Sequence, residues 1–375
     1  MRLDKTACRQ IAIQGLVIAA VAAATLWVGG NVAANLGRAG IEFNFRFLSL
    51  PATFELGESF LSFRSGESIG RAFLAGLSNT IVVSALSIVF ATVLGVLIGV
   101  ARLSTDKFLT CLAFGYVEGI RSTSLLLQLL FWHTLFTHAL PAPRQAGRVL
   151  DCAVFSNRGI FLPFLTPWGW SLVAGGATVL FVTVAGVWRY APGRQRMPGL
   201  ALSVGLVPVL AIAIGLASHD PAVLCPRLQG FNIAGGTNVS TEFAALLLAL
   251  SLYASSYISE VVRSSIAAVP RSQVEAARAL GLRSGSILWL VVMPQALKTM
   301  IPPMTNQYLN VMKSSSLAVA IGYPDVVRVS MITISQTGRA IECMMIITLV
   351  YLSISLLIAL AMNIYNRRRL QRSSD

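Results

Sequence analysis

The stretch AFLAGLSNTIVVSALSIVFATVLGVLIGVA, residues 72–101, runs for 30 positions without a charged side chain, between Arg71 and Arg102. An α-helix rises about 1.5 Å per residue and needs about 20 apolar residues to cross the hydrocarbon of a bilayer. This stretch is long enough to span a membrane, with a charge held at each end. Working outward, the pattern recurs. Apolar runs at 11–30, 112–140, 160–187, 199–217, 242–259, a polar-flecked 300–320, and 343–363 bring the expected spans to eight. Composition agrees, since 55% of the 375 residues are hydrophobic and 12% charged, about half the charge of a soluble domain. The chain reads as an all-α membrane protein.

Lys and Arg outnumber Asp and Glu by 29 to 15, a formal charge of +14. Such a balance suggests nucleic acid, but a nucleic-acid-binding domain gathers its charge into a patch or stripe. Here the charges sit in short clusters between apolar runs, so no nucleic-acid partner is expected. The hydrophobic content excludes disorder. Cys8, Cys111, Cys152, Cys225 and Cys343 are scattered, with no CxxC pair, which excludes a secreted disulfide scaffold and a metal cluster.

Cytoplasmic loops of membrane proteins carry the excess Lys and Arg. With the N-terminus inside and directions alternating, the inner segments hold 17 of these residues and the outer segments 10, while Arg121 and Lys313 lie within spans. Both termini are therefore expected in the cytoplasm, with Arg367-Arg368-Arg369 as an inner anchor at the lipid surface. The basic start and the run at 11–30 are read as a retained helix, because the run is long for a signal peptide. Cys152 and Cys225 fall on the same outer side, which leaves a bridge between them open.

The largest inner loop, 260–298, is the most specific segment of the chain. Pro270 precedes Ser272-Gln273-Val274-Glu275, an S-x-x-E capping box. The helix formers Ala276, Ala277, Arg278, Ala279 and Leu280 follow, and Gly281 supplies a left-handed end. Ser284 or Ser286 could cap a second helix into Ile287-Leu288-Trp289-Leu290. The segment reads as a helix–Gly–helix elbow on the cytoplasmic surface.

The spacing Glu275-Ala276-Ala277-x3-Gly281-x9-Val291-Val292-Met293-Pro294 resembles the EAA loop of ABC-importer permeases. Three further segments are similar to the polar amino-acid permeases of that group. They are Tyr253-Ala254-Ser255-Ser256-Tyr257-Ile258-Ser259-Glu260-Val261-Val262-Arg263, then Pro294-Gln295-Ala296-Leu297-Lys298 with Lys313-Ser314-Ser315-Ser316-Leu317, and Glu118-Gly119-Ile120-Arg121 through Leu125 to Trp132. The long form, with Gly230-Phe231-Asn232 and Gly235-Gly236, resembles the general L-amino-acid permeases of Gram-negative bacteria. Ser124, Ser264-Ser265 and Ser272 depart from the family pattern, which has Pro, a small residue plus Gly, and Gly at those places.

The resemblance covers about half the chain, 70–140 and 240–365, and implies a five-helix type I ABC importer permease core within the eight spans. Four divisions of the chain result: 1–71, an extra helix and periplasmic loop; 72–140, the first half of the permease core; 141–241, an inserted helix pair with outer loops; and 242–375, the second half of the core with the coupling loop. The resemblance implies a bacterial inner-membrane subunit that imports polar or general L-amino acids without catalysis of its own. ATP and Mg²⁺ would be bound by a partner ATPase, and the chain has no phosphate-binding loop. The implied partners are a second, related permease subunit, two ATPase subunits and a periplasmic amino-acid-binding protein. Glu275, Ala276, Ala277 and Gly281 would couple to the ATPase.

Ionisable groups at membrane depth are functional candidates. Glu118 and Arg121, three apart, share a face continued by Leu125, Gln128 and Trp132. Asn306, Asn310 and Lys313 form one polar stripe on an apolar helix, which must avoid lipid. These two faces are expected to line the translocation path, with Arg121 or Lys313 attracting a carboxylate. The competing reading is a structural ion pair, such as Lys313 with Glu118, or packing against a second subunit. His133 and His138 are five apart, off a common face, and are read as ordinary interface histidines. Met293, Met300, Met304 and Met312 are read as packing. A secondary transporter driven by an ion gradient is the alternative, yet no internal repeat and one candidate intramembrane acid, Glu118, speak against it. No Ser has the turn of a serine hydrolase.

Overall fold

The computed structural model describes residues 5–38, 43–146, 148–149, 153–165, 223–229 and 232–371. Helix α1, Lys5–Arg38, exposes its apolar side chains, with Leu16, Leu26 and Trp27 all more than two-thirds open. Lipid is the natural solvent for such a helix. A short 3₁₀ turn, Arg46–Ser49, leads to an isolated bridge between Pro51 and Ser68. Phe47 and Ala52 are buried there, so the loop expected after the first helix is a folded cap.

Helix α2, Ile69–Ala101, starts at Ser68, whose hydroxyl accepts from the Arg71 amide at 3.3 Å. The expected span 112–140 is two helices, α3, Lys107–Arg121, and α4, Leu125–His138. The break is at Ser122-Thr123-Ser124, where small hydroxyls compete with the helical ladder. Both the Ser122 and Thr123 side chains donate to the Gly119 carbonyl at 3.0 Å.

Eight short strands follow: β1, Arg148–Val149; β2, Ala153–Ser156; β3, Gly159–Leu162; β4, Phe164–Leu165; β5, Val223–Leu224; β6, Arg227–Gln229; β7, Asn232–Ala234; and β8, Thr237–Val239. They pair antiparallel as β1-β2-β3-β8, β4-β5 and β6-β7. The span expected at 160–187 is corrected at its start, since 160–162 and 164–165 lie in strands. The rest of that span, and the one at 199–217, lie outside the described residues. Leu165 pairs with Val223, so the chain leaves and re-enters at one place. An excursion with adjoining ends can be inserted without disturbing the helices on either side.

Helix α5, Thr241–Ala267, is capped by Ser240, and α6, Arg271–Ala279, forms the elbow's first arm. Helix α7, Ser284–Ile287, runs through a π-turn, Leu288–Val292, into α8, Met293–Ser314. Pro294 cannot donate an amide hydrogen, and the wider turn just before it accommodates its ring. A 3₁₀ turn, Ser315–Ile321, ends at Gly322 (φ 80°). Between the expected spans 300–320 and 343–363 lies helix α9, Val326–Thr337, capped by Asp325 and closed by Gly338 (φ 70°). Helix α10, Ala340–Gln371, is the last of the described elements.

Among the described residues, five helices are long and apolar enough to cross a membrane: Ile13–Val32, Ile69–Ala101, Thr241–Ala267, Gly285–Ile321 and Ala340–Ile364. The most extensive pairing is between α2 and α5. On α2, Ser87, Ala91, Gly95 and Gly99 recur every fourth residue and are all buried. A Cβ on Gly95 would lie 2.5 Å from Ile258 Cγ2, and one on Gly99 would lie 2.8 Å from the Ser259 carbonyl oxygen. Small residues let helices approach where lipid provides no hydrophobic drive.

Replacing Gly95 with Leu is expected to cost about 2 kcal/mol or more, the range for overpacking a fitted site. Thermal unfolding of the purified protein checks this. Gly115→Ala, where no atom lies within 4 Å of the new Cβ, serves as the control.

Candidate functional site

Elbow residues divide by direction. Glu275, Ala276 and Gly281 are exposed, whereas Ala277 is buried against Ile287 and Val292. Gly281 has φ 76° with open space around it, so its role is backbone conformation alone. The Leu282 amide donates to the Ala277 carbonyl at 3.2 Å and the Gly281 amide to Arg278 at 2.9 Å, closing α6 with a Schellman turn. The capping box does not form. Pro270, extended at ψ 130°, holds the cap position, so Ser272 is already helical. Instead, Gln273 accepts from the Gln295 amide, tying α6 to the start of α8. The Ser284 side chain lies outside the described residues. Leu280, 81% exposed, stands at the elbow's tip.

Deeper in the helices, a cavity of about 270 Å³ is lined by Leu125, Tyr253, Tyr257, Gln307, Asn310 and Lys313, among others. Of the residues on the two expected faces, Leu125, Asn310 and Lys313 line it. The Arg121 guanidinium lies 4.8 Å from the centre of the Tyr257 ring, a cation–π contact, and the Tyr253 and Tyr257 hydroxyls are 3.1 Å apart. Arg121 and Tyr253/Tyr257 thus form one cluster beside Asn310 and Lys313. Lys313 also borders an apolar cavity of about 400 Å³ with Met331, Ile347 and Tyr351. One cation, paired phenols and an amide thus line one opening, and a second cation stacks on one of the phenols.

The other candidates are placed differently. Glu118 is exposed, and among the described residues it has no ion-pair partner, so neither Arg121 nor Lys313 is neutralised by it. Gln128 is buried, and its amide donates to the carbonyls of Ile120 (2.9 Å) and Thr123 (3.2 Å), which closes the α3–α4 break. Asn306 is exposed one turn before the cavity. His133 lies 4.0 Å from Glu242, and among the described residues no His, Cys, Asp or Glu group has metal-binding geometry. Met300, Met304 and Met312 are buried packing residues.

Residues 91–371 match the family described as binding-protein-dependent transport system inner membrane component. The chain belongs to this family. It is 43% identical to a putative amino-acid ABC transporter permease protein of Escherichia coli K12, over 95% of this chain and 92% of the relative. It is also 39% identical to the general L-amino acid transport system permease protein of Rhizobium johnstonii, over 96% of this chain and 92% of the relative. A crystal structure of an amino acid ABC transporter with histidines aligns with 80% of this chain and 94% of its own, at 21% identity and a TM-score of 0.49.

In this inner membrane component, several residues with no expected role come forward in the folded chain. Tyr253 and Tyr257 are one turn apart on an apolar helix, a spacing that could have flagged them. Asn79 carries no such signal, because its partners are far along the chain. Buried on α2, it donates to the carbonyls of Glu58 and Pro324, both at 2.9 Å, and accepts from the Phe60 amide at 3.1 Å. Ser240 donates to the Glu58 carboxylate, and Phe60 packs on Phe243. The loop, α2, α5 and the start of α9 are thereby knotted together. Asp325 lies within this knot, its Oδ1 accepting from the Arg328 amide at 2.8 Å and its Oδ2 buried without a partner. Of the cysteines, Cys111 and Cys343 are free and Cys225 is disulfide-bonded; Cys152 lies outside the described residues.

Burial pushes the Asp325 carboxyl up to about 7 from the usual 3.8. A folded-state value above the unfolded one means stability is fully present below pH 3.8 and is lost as pH rises through about 7. Asn caps a helix as well as Asp. Asp325→Asn is therefore expected to flatten the fall in melting temperature between about pH 4 and 8, measured in detergent.

Proposed function

We propose that this chain is the translocating subunit of an ATP-driven amino-acid importer. It works beside a second permease chain, with both termini in the cytoplasm. Two ATPase subunits bind ATP and Mg²⁺ and engage the elbow through Glu275, Ala276 and Gly281. A periplasmic amino-acid-binding protein delivers the substrate to the outer end. The names of the relatives support the substrate class, and the cavity chemistry is compatible with it.

One observation carries the coupling. From Ser284 to Ser314 the chain is helical without interruption, through the π-turn and past Pro302 and Pro303. The rod is about 45 Å long at the rise of an α-helix. Its inner end is held to the elbow by Ile287, Val292 and the Gln273–Gln295 bond. Its far end carries Asn310 and Lys313 into the cavity. Movement of the elbow is thus movement of the cavity wall, with no intervening joint but the π-turn. A substrate carboxylate would meet Lys313 or Arg121, and its ammonium group the Tyr hydroxyls and Asn310. The two states must bind the substrate differently for ATP closure to drive release.

Glu275→Lys is expected to abolish uptake and loosen the ATPase while the protein still inserts in the membrane. Uptake assays and copurification read both effects, and undiminished uptake would remove the coupling role. Lys313→Gln and Arg121→Gln should each raise the substrate dissociation constant about tenfold, the loss of one charge-assisted contact. Unmoved constants alongside failed assembly would instead make these residues structural.

A further inference from the structure

The outward-facing segments differ in charge. Residues 31–71 carry four Arg and four Glu, and 321–342 carry two of each sign. The strand-bearing segments 141–165 and 223–239 carry Arg144, Arg148, Arg158 and Arg227 against Asp151 alone. Excess positive charge on outer loops runs against the rule that orients membrane helices. Among the described residues, it is concentrated where the chain forms strands.

The strands give that charge a shape. Val154, Phe161 and Ile233 form a small core between the four-stranded sheet and the β6–β7 hairpin. Beside it is a recess of about 360 Å³ lined by Arg158, Phe161, Ile233, Gly235, Gly236 and Asn238. Arg158 sits at the β2–β3 turn and is exposed. Gly235 and Gly236 have φ of 84° and 70°, and a Cβ on Gly236 would lie 2.4 Å from the Leu162 carbonyl oxygen, so the recess is fixed backbone. Arg227 is exposed on the hairpin, next to Leu228, 47% exposed. An arginine, a side-chain amide and apolar side chains around one recess suit a protruding carboxylate side chain.

We infer that this β platform docks an acidic face of the periplasmic binding protein, one of whose Asp or Glu side chains enters the recess at Arg158. The inference rests on the importer reading above, and on the family description, which requires a binding protein. Its neighbourhood fits: β8 leads directly into Ser240, the residue bonded to Glu58 at the outer knot. A protein seated on the platform would press on the end of α5 and on the segment around Pro324. Rim charges of this kind govern encounter rate and salt dependence more than the chemistry that follows.

The test uses the complete transporter in proteoliposomes. The probe is a purified periplasmic amino-acid-binding protein from the same cells, added outside with ATP inside. Arg158→Glu with Arg227→Glu should raise the half-saturating concentration of that protein about tenfold, with maximal uptake unchanged. Added salt should weaken docking to the unaltered transporter more than to the variant. An unchanged half-saturation, or a fall in maximal uptake alone, overturns the docking assignment. Uptake by the unaltered transporter that ignores added binding protein sinks the importer reading itself, and the platform with it.

Discussion

Close contact between α2 and α5 is the constraint on which the other helices are mounted. In a bilayer the apolar side chains of two helices gain little by meeting, because lipid is equally apolar; contact must come from fit. Gly95 and Gly99 provide the fit by leaving space for Ile258 and Val262. The serines of α5 help in a different way. Ser255, Ser256 and Ser259 donate to carbonyls three residues back in their own helix, so they enter the seam without stranded hydroxyls.

Neighbouring elements attach to that seam through specific bonds. Tyr116 of α3 bonds the Ser255 hydroxyl at 2.8 Å, and Tyr308 of α8 meets Thr92 of α2 at 3.2 Å. At one end, Glu260 accepts from Arg102 and Arg263, which joins the end of α2 to α5. At the opposite end, Asn79 performs the corresponding service. The rod from 284 to 314 is bonded less completely, and its two ends lie at the elbow and the cavity. A stiff seam beside a proline-containing rod suits a division between frame and moving element.

The strand junction follows the same economy. Because Leu165 and Val223 are paired, the chain departs and returns at one place. The family match over 91–371 runs straight through this region. Strands suit such a junction, since their backbone bonds are satisfied between the two arms rather than by a partner helix.

Apolar run lengths and charge placement made the membrane class legible, and the EAA spacing made the family legible, because both depend on residues near each other in the chain. Gly281 is an instance: its left-handed turn follows from position alone. Ser272 shows the limit, since the same local reading proposed a cap that Pro270 pre-empted. The break at 122–124 was visible only as a run of hydroxyls, and Gln128, read as lining a path, proved to seal that break. Convergence of Tyr253, Tyr257, Asn310 and Lys313 on one cavity, with Arg121 stacked on Tyr257, and of Asn79 with Glu58 and Pro324, was beyond the sequence. Local chemistry sets which helices exist. Which of their faces meet depends on the fit of side chains that are hundreds of residues apart, and only the folded structure decides it.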